Sequence, residues 1–310
     1  MKYIRTRKKL TKNWKKRGKR KMKKRKLLTL GLCAVLAVTT LVSCGGNSSE
    51  GGAPSGDITV VSREEGSGTR GAFTELVGVI DEDENDITVK TAEITNSTSV
   101  MMQTVAGNES SIGYVSLGSL SDEVKAVKVD GVEATVDTVK SGEYKVARPF
   151  NIVTKKTGVS ELAKDFQKYI LSEEGQKTIE EEGYIREDKA EAYKPAGLKG
   201  KITLAGSTSV APVMEVLAEN YKKLNDGVEI EIQQSGSSAG ITAAIEGVCD
   251  IGMASRDLKD SETKEGLEST KIALDGIAVI VNKNNGLEDI STENLQKIYK
   301  GEITAWDEVK

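Results

Sequence analysis

Twelve residues, "SREEGSGTRGAF" at 62–73, set two arginines and two glutamates around the turn Gly66-Ser67-Gly68-Thr69. Two further turns share its character: Gly206-Ser207-Thr208-Ser209 after "KITLA", and Gly236-Ser237-Ser238-Ala239-Gly240 after "VEIEIQQ". Each follows a β-rich run and precedes a helical one. Free backbone N–H groups and the positive end of the helix dipole favour an anion there. Hydroxyls add donors, and glycine lets the backbone come close. Ser and Thr are also the ordinary N-cap residues, so one such turn says little and three together say more. Arg63, four residues before Ser67, can give two parallel hydrogen bonds to one tetrahedral oxyanion. Glu64 reads as a solvated loop residue. Glu65 is either structural or the carboxylate that orients Arg63, and we expect it to be the orienting one. Arg70, inside the helix, reads as a surface residue.

Other chemistries are poorly supplied. The chain has no histidine, the commonest general base and metal ligand. "GSSAG" matches the G-x-S-x-G nucleophile elbow with Ser238 as nucleophile, but without histidine there is no Ser-His-acid relay. No S-x-x-K at a helix start supports a Ser-Lys pair. "GSGTR" lacks a Walker lysine, "GSGT" lacks the dinucleotide spacing, and there is no Cys/His cluster for zinc. We expect no cofactor, no metal and no catalytic residue.

The elements that must position these turns alternate. "DITVVS", "SSIGYVS", "GKITLAG", "VEIEIQQ" and "GIAVIVNK" read as strands. "TRGAFTELVGV", "APVMEVLAENYKKL", "AGITAAIEG" and "STENLQKIYKG" read as helices, the last closed by Gly301. A helical pair covers 159–181, with Leu162, Phe166 and Ile170 on one face. This predicts an α/β fold, mainly parallel sheets with helices on their faces.

The first 26 residues hold 16 Lys or Arg and no acid, and residues 27–44, "LLTLGLCAVLAVTTLVSC", are otherwise uncharged. Basic run, short apolar run and small-residue exit predict a secretory signal over 1–43. Residues 1–21 read as a misassigned start, since "MKKRKLL" at Met22 makes an ordinary one. "LVSCGG" resembles a bacterial lipobox, which implies palmitate-type lipidation at Cys44 and a flexible tether over 44–56. Beyond the signal, 28 basic face 47 acidic residues. That field opposes nucleic acid and anionic membrane surfaces, so a bound anion must be held by local groups. With Cys33 in the signal and Cys44 lipidated, Cys249 has no disulfide partner and reads as a small buried apolar residue.

"AGSTSVAPVMEVLAENY", "QQSGSSAGITAAIEGVCDIGMASRDL", "ALDGIAVIVNKNN", "LQKIYKGEITAWDEV" and "VVSREEGSGTRGAF" together resemble the phosphate-binding proteins of bacterial phosphate ABC importers. So do "SSIGYVSLGSL", "ARPFNIVTK" and "SEEGQKTIEEEGYI". The resemblance covers nearly all of 57–310, but the order differs. In the family "GSTSVAP" opens the mature chain and "ITAWDEV" runs on into "VVSREEGSGTR". Here the latter comes first, as in a circular permutation cut between "WDEV" and "ITVV", with the old termini joined near Glu191–Lys201.

The resemblance implies a two-lobed, type II periplasmic-binding-protein-like fold, circularly permuted. One lobe would be split, 57–144 plus 275–310, and the other continuous, 145–274. It implies phosphate ligands at Thr208, Ser209 and Ser237 in one lobe and at Arg63, Ser67, Gly68 and Thr69 in the other. Some members carry an aspartate that accepts the proton of monohydrogen phosphate; that position is Ser255 here, so selectivity is not secured by it. The function implied is a monomeric receptor on the extracytoplasmic face of a Gram-positive cell membrane. It would deliver inorganic phosphate to the permease and ATPase subunits of an ABC importer. The alternatives are a receptor for sulfate or molybdate, a secreted serine hydrolase using Ser238, and a surface protein that has kept the fold without the ligand.

Overall fold

The structure, a computed structural model, describes residues 55–187 and 190–309; the signal, Cys44 and the start of the tether lie outside them. The chain runs β1 (Thr59–Arg63), α1 (Gly68–Val77), β2 (Glu93–Thr95), α2 (Thr98–Gly107), β3 (Ser111–Ser116), β4 (Lys125–Val129), α3 (Val136–Ser141) and β5 (Ala147–Lys155). It continues α4 (Glu161–Ile170), α5 (Glu173–Glu181), β6 (Ile185–Arg186), β7 (Gly200–Gly206), α6 (Ala211–Leu224), β8 (Val228–Gln234), α7 (Ser237–Glu246) and β9 (Ile251–Ala254). It closes with α8 (Asp260–Lys264), β10 (Leu267–Val281), β11 (Asp289–Ile290) and α9 (Thr292–Lys300).

The strands lie in the order β2-β1-β3-β10-β5-β9-β7-β8. Pairings of β1 with β2 and β3, and of β7 with β8 and β9, are parallel, as strand–turn–helix repetition requires. The antiparallel pairings all involve β5 or β10: β10 with β3, β4, β5 and β6, and β5 with β9. These two strands carry the chain from one end of the sheet to the other. β10 is 15 residues long. Its run Ile277–Val281 is wholly buried, the pattern of a strand covered on both faces.

The apolar interior is divided accordingly. One cluster draws on residues from Val60 to Val146 and from Ile277 to Trp306, with Ile185. Two others use only residues from Phe150 to Ala273. Leu162, Phe166 and Ile170 are buried in the second, as the periodicity of α4 predicts. Serine side chains cap many helix starts: Ser67, Ser97, Ser160, Ser172 and Ser291 each accept from a backbone amide of the first turn. Left-handed glycines close α1, α3, α7 and α9.

Residues at the two ends of the described chain meet. Asp57 bridges to Ala305, Ile58 N donates to Thr304 O at 2.8 Å, and Trp306 N donates to Gly56 O at 2.8 Å. The segment before β7 is pinned at Tyr193, whose hydroxyl donates to the buried Asp165 at 2.5 Å. Tyr221 donates to the same carboxylate oxygen at 2.7 Å.

Candidate functional site

Four strands, β1, β2, β7 and β8, each pass within a few residues into a helix. The four helix starts converge on one cleft, at the carboxyl ends of parallel strands where open α/β sheets bind ligands. β1 delivers Arg63 at its last position, and only 2% of that residue is exposed. Its Nη2 donates to Thr208 Oγ1 at 3.0 Å, and Nη1 lies 3.5 Å from Thr98 Oγ1. Thr98 Oγ1 is within 3.3 Å of Thr208 Oγ1 and 3.2 Å of Ser209 Oγ. Thr69 and Ser209 share a 2.8 Å hydrogen bond. Hydroxyls from the start of α1 and α2 thus meet those before α6.

A second group adjoins it. Ser207 Oγ donates to Ser255 Oγ at 3.0 Å, Ser237 and Ser255 hydroxyls lie 3.3 Å apart, and Ser255 N donates to Ser237 Oγ at 3.1 Å. Gly68 faces this group. A Cβ there would press into Ser237 Oγ and lie 2.6 Å from Ser255 Oγ. Here the missing side chain matters for space, since Gly68 is helical and carries no positive φ. A backbone bond also crosses the cleft, Ser238 N to Gly66 O at 3.1 Å.

All the expected ligand residues, Arg63, Ser67, Gly68, Thr69, Thr208, Ser209, Ser237 and Ser255, therefore lie around one buried cleft. Ser67 does so as the N-cap of α1, accepting from Arg70 N at 3.4 Å. Glu65 is corrected. The carboxylate on the guanidinium is Glu64, which accepts from Arg63 Nε and Nη2, each at 2.8 Å. The chain turns at Glu65-Gly66, which leaves Glu65 exposed, and no bond joins it to Arg63 among the described residues. Arg70 is corrected too. Its Nη1 donates to Arg63 O at 2.8 Å and its Nε to Asp86 at 2.6 Å, so it braces the backbone that presents Arg63. Behind Arg63, Tyr114 takes its amide at 3.3 Å and shares a 2.9 Å bond with Ser62. Burial pushes that phenol up to about 12, so it remains uncharged.

Ser238 does not have the surroundings of a nucleophile. Its hydroxyl accepts from Arg256 Nη2 at 3.1 Å, a cation that cannot take up its proton. Arg256 is itself held by Glu262, 2.8 Å away.

Thr98 and Glu64 were not in the expected set. "NSTSV" at the start of α2 has the same hydroxyl signature as the other turns. Its strand β2, however, is three residues long with two of them exposed, so no alternation announces it. The buried pair Arg148–Asp275 (Nη2 to Oδ2, 3.2 Å) was also missed. Its signal was there: a lone charge inside each of the apolar runs "ARPFNIV" and "ALDGIAVIV", where buried charges need partners.

Chemically, the cleft offers hydroxyls, helix-start amides and one guanidinium whose charge is balanced by Glu64. These are donors of the kind an oxyanion takes, set where the elements around separate apolar clusters meet, with β5 and β10 running between them. That is the anatomy of a solute-binding receptor. Comparison with known proteins agrees. The PBP superfamily domain matches residues 9–174 and 191–310. "Phosphate-binding protein PstS 2" of Streptococcus agalactiae is 50% identical over 293 residues, 93% of this chain and 99% of that protein. The crystal structure of a phosphate ABC transporter phosphate-binding protein from Streptococcus pneumoniae TIGR4 superposes with a TM-score of 0.67 at 48% identity. It covers 82% of this chain and 100% of that one. "Phosphate-binding protein PstS" of Staphylococcus haemolyticus is 40% identical over 120 residues, 36% of this chain and 38% of that protein. The chain belongs to the PBP superfamily and, within it, to the family of these PstS-type proteins.

Proposed function

We propose that the chain is an extracytoplasmic receptor that binds inorganic phosphate and hands it to the permease and ATPase of an ABC importer, with no chemical step of its own. The observation that carries this is the buried Arg63 guanidinium, within hydrogen-bonding reach of threonines from two facing helix starts. The ligand set is Arg63, Ser67, Gly68, Thr69, Thr98, Thr208, Ser209, Ser237 and Ser255. The lobes are 57–144 plus 275–310, and 145–274. They close about β5 and β10, so that the oxyanion replaces the bonds the hydroxyls now make with one another. The printed names of the relatives support phosphate as ligand.

The order of segments is a circular permutation within the family. Two observations support it: residues 56–58 bond to 304–306, where an uncut loop would run, and the staphylococcal relative aligns over about a third of its length. The end-to-end match to the streptococcal protein means that the two share this order. A lipid on Cys44 tethers the receptor to the membrane; the lipobox-like Leu41-Val42-Ser43-Cys44 supports this. Among the described residues no helix is long and apolar enough to cross a membrane. Loss of palmitate labelling in Cys44→Ala tests the anchor.

Calorimetric titration with phosphate, followed by sulfate as competitor, tests the receptor. Saturable 1:1 phosphate binding that sulfate does not displace is the expected result. Displacement by sulfate would favour a general oxyanion receptor. A specific observation motivates that second reading: Ser255 and its neighbours bring only hydroxyls, and the carboxylate of Glu64 is turned onto Arg63. No binding of either ion by the folded protein would overturn both readings.

A further inference from the structure

Arg148 on β5 and Asp275 on β10 are register partners in the two crossover strands, each with only 2% and 1% of its surface exposed. Asp275 Oδ2 accepts from Arg148 Nε at 3.3 Å and Nη2 at 3.2 Å, and Oδ1 accepts from Ser116 Oγ of β3 at 2.9 Å. The remaining nitrogen, Nη1, donates to Ser255 O at 3.3 Å. Ser255 is the residue whose hydroxyl and amide both engage the cleft hydroxyls of Ser207 and Ser237. One guanidinium thus connects the crossover strands to the cleft. The Asp275 fork fixes the plane of Arg148, and that plane determines where Nη1 points.

We infer that Arg148 and Asp275 are positioning residues of the binding site: the ionised Asp275 holds Arg148 so that the Ser255 turn is in register for the oxyanion. The ligand in this inference rests on the receptor reading; the contact chain does not. Around Asp275 stand Arg148 from β5, Ser116 from β3, Gly118 after β3, and Tyr184 after α5, with Arg63 the further cation acting on Arg148. Burial pushes the Tyr184 phenol upward, so it brings no charge. Burial also raises the Asp275 carboxyl to about 6, with Arg148 and Ser116 opposing that rise. The fork therefore loosens by protonation in a mildly acidic range.

The test titrates the full-length protein with inorganic phosphate, wild type beside Asp275→Asn, across pH. Phosphate's own ionisation cancels in the ratio of the two dissociation constants. That ratio should be about tenfold at about pH 8 and fall towards one near about pH 5. A ratio of one at both ends, or one that stays constant, overturns the inference, since a merely structural loss would not follow Asp275's charge. Should Asp275→Asn fail to fold, Ser116→Ala removes the Oδ1 bond alone and should show the same trend at smaller size. A ligand-free readout separates this from the receptor reading. The Ser255 amide resonance of the wild type should titrate near about pH 6 and be flat in the variant. If phosphate does not bind, the receptor reading falls and the Ser255 resonance alone decides: a flat resonance in the wild type overturns the positioning role.

Discussion

Arg63 and Thr208 are 145 positions apart in sequence, yet Nη2 of one donates to Oγ1 of the other at 3.0 Å. Through that contact the last residue of β1 touches the turn before α6, and the two halves of the protein come together on a hydroxyl.

The guanidinium is the strongest single donor in the cleft. Arg63→Ala should weaken phosphate binding by about 100-fold, the scale of hydrogen bonds to a charged group. Arg63→Lys should recover little of it, because an ammonium cannot reproduce the planar fork. Calorimetry on both variants checks this; near-normal affinity in Arg63→Ala would remove the residue from the site.

Gly68 is where the opposing side chains come closest. Gly68→Ala should keep the cleft ajar, since its methyl meets Ser237 and Ser255. Affinity should fall at least about tenfold while the melting temperature changes little. Small-angle scattering with saturating phosphate should show incomplete compaction; full compaction would show that the facing turn moves aside.

Glu64 and Glu65 can be separated by salt. Removing the carboxylate that balances Arg63 leaves a bare cation, so binding in Glu64→Gln should depend more steeply on ionic strength than in the wild type. Glu65→Gln should match the wild type. A steeper dependence in Glu65→Gln alone would return the orienting role to Glu65.

The Asp275 carboxyl titrates higher in the folded protein, at about 6, than the about 3.9 of an unfolded chain. The folded state therefore binds more protons between those values, and stability falls as pH rises through that window. The steepest loss is about 1.4 kcal/mol per pH unit. Denaturant melts should show the wild type losing stability relative to Asp275→Asn as pH rises from about 4 to about 6, with the difference levelling above. A flat difference would mean that the buried carboxyl keeps an ordinary value. Affinity and stability should move in opposite directions with pH, which no loss of packing would produce.

The turns, the helices behind them and Arg63 were legible because each is a local pattern: alternating residues, then glycine and hydroxyls, then helical spacing. Their convergence was not local. It came from the family resemblance, and the structure brings all eight expected residues to one cleft. What escaped depended on side-chain direction or on very short elements. Choosing between Glu64 and Glu65 requires the path of the turn. Thr98 follows a strand too short to show a period. Arg148 and Asp275 lie 127 positions apart, and only the pairing of β5 with β10 makes them partners.

β10 supplies residues to all three apolar clusters: Leu267 to one, Ile272 and Ala273 to another, Ile277–Val281 to the third. A strand shared in this way is a mechanical spine, and neither half can come apart and leave the other with a finished core. Unfolding should then run as a single event, with the fluorescence of the buried Trp306 and the loss of helical signal coinciding. An earlier transition in either signal would show that the halves hold together independently of the strand they share.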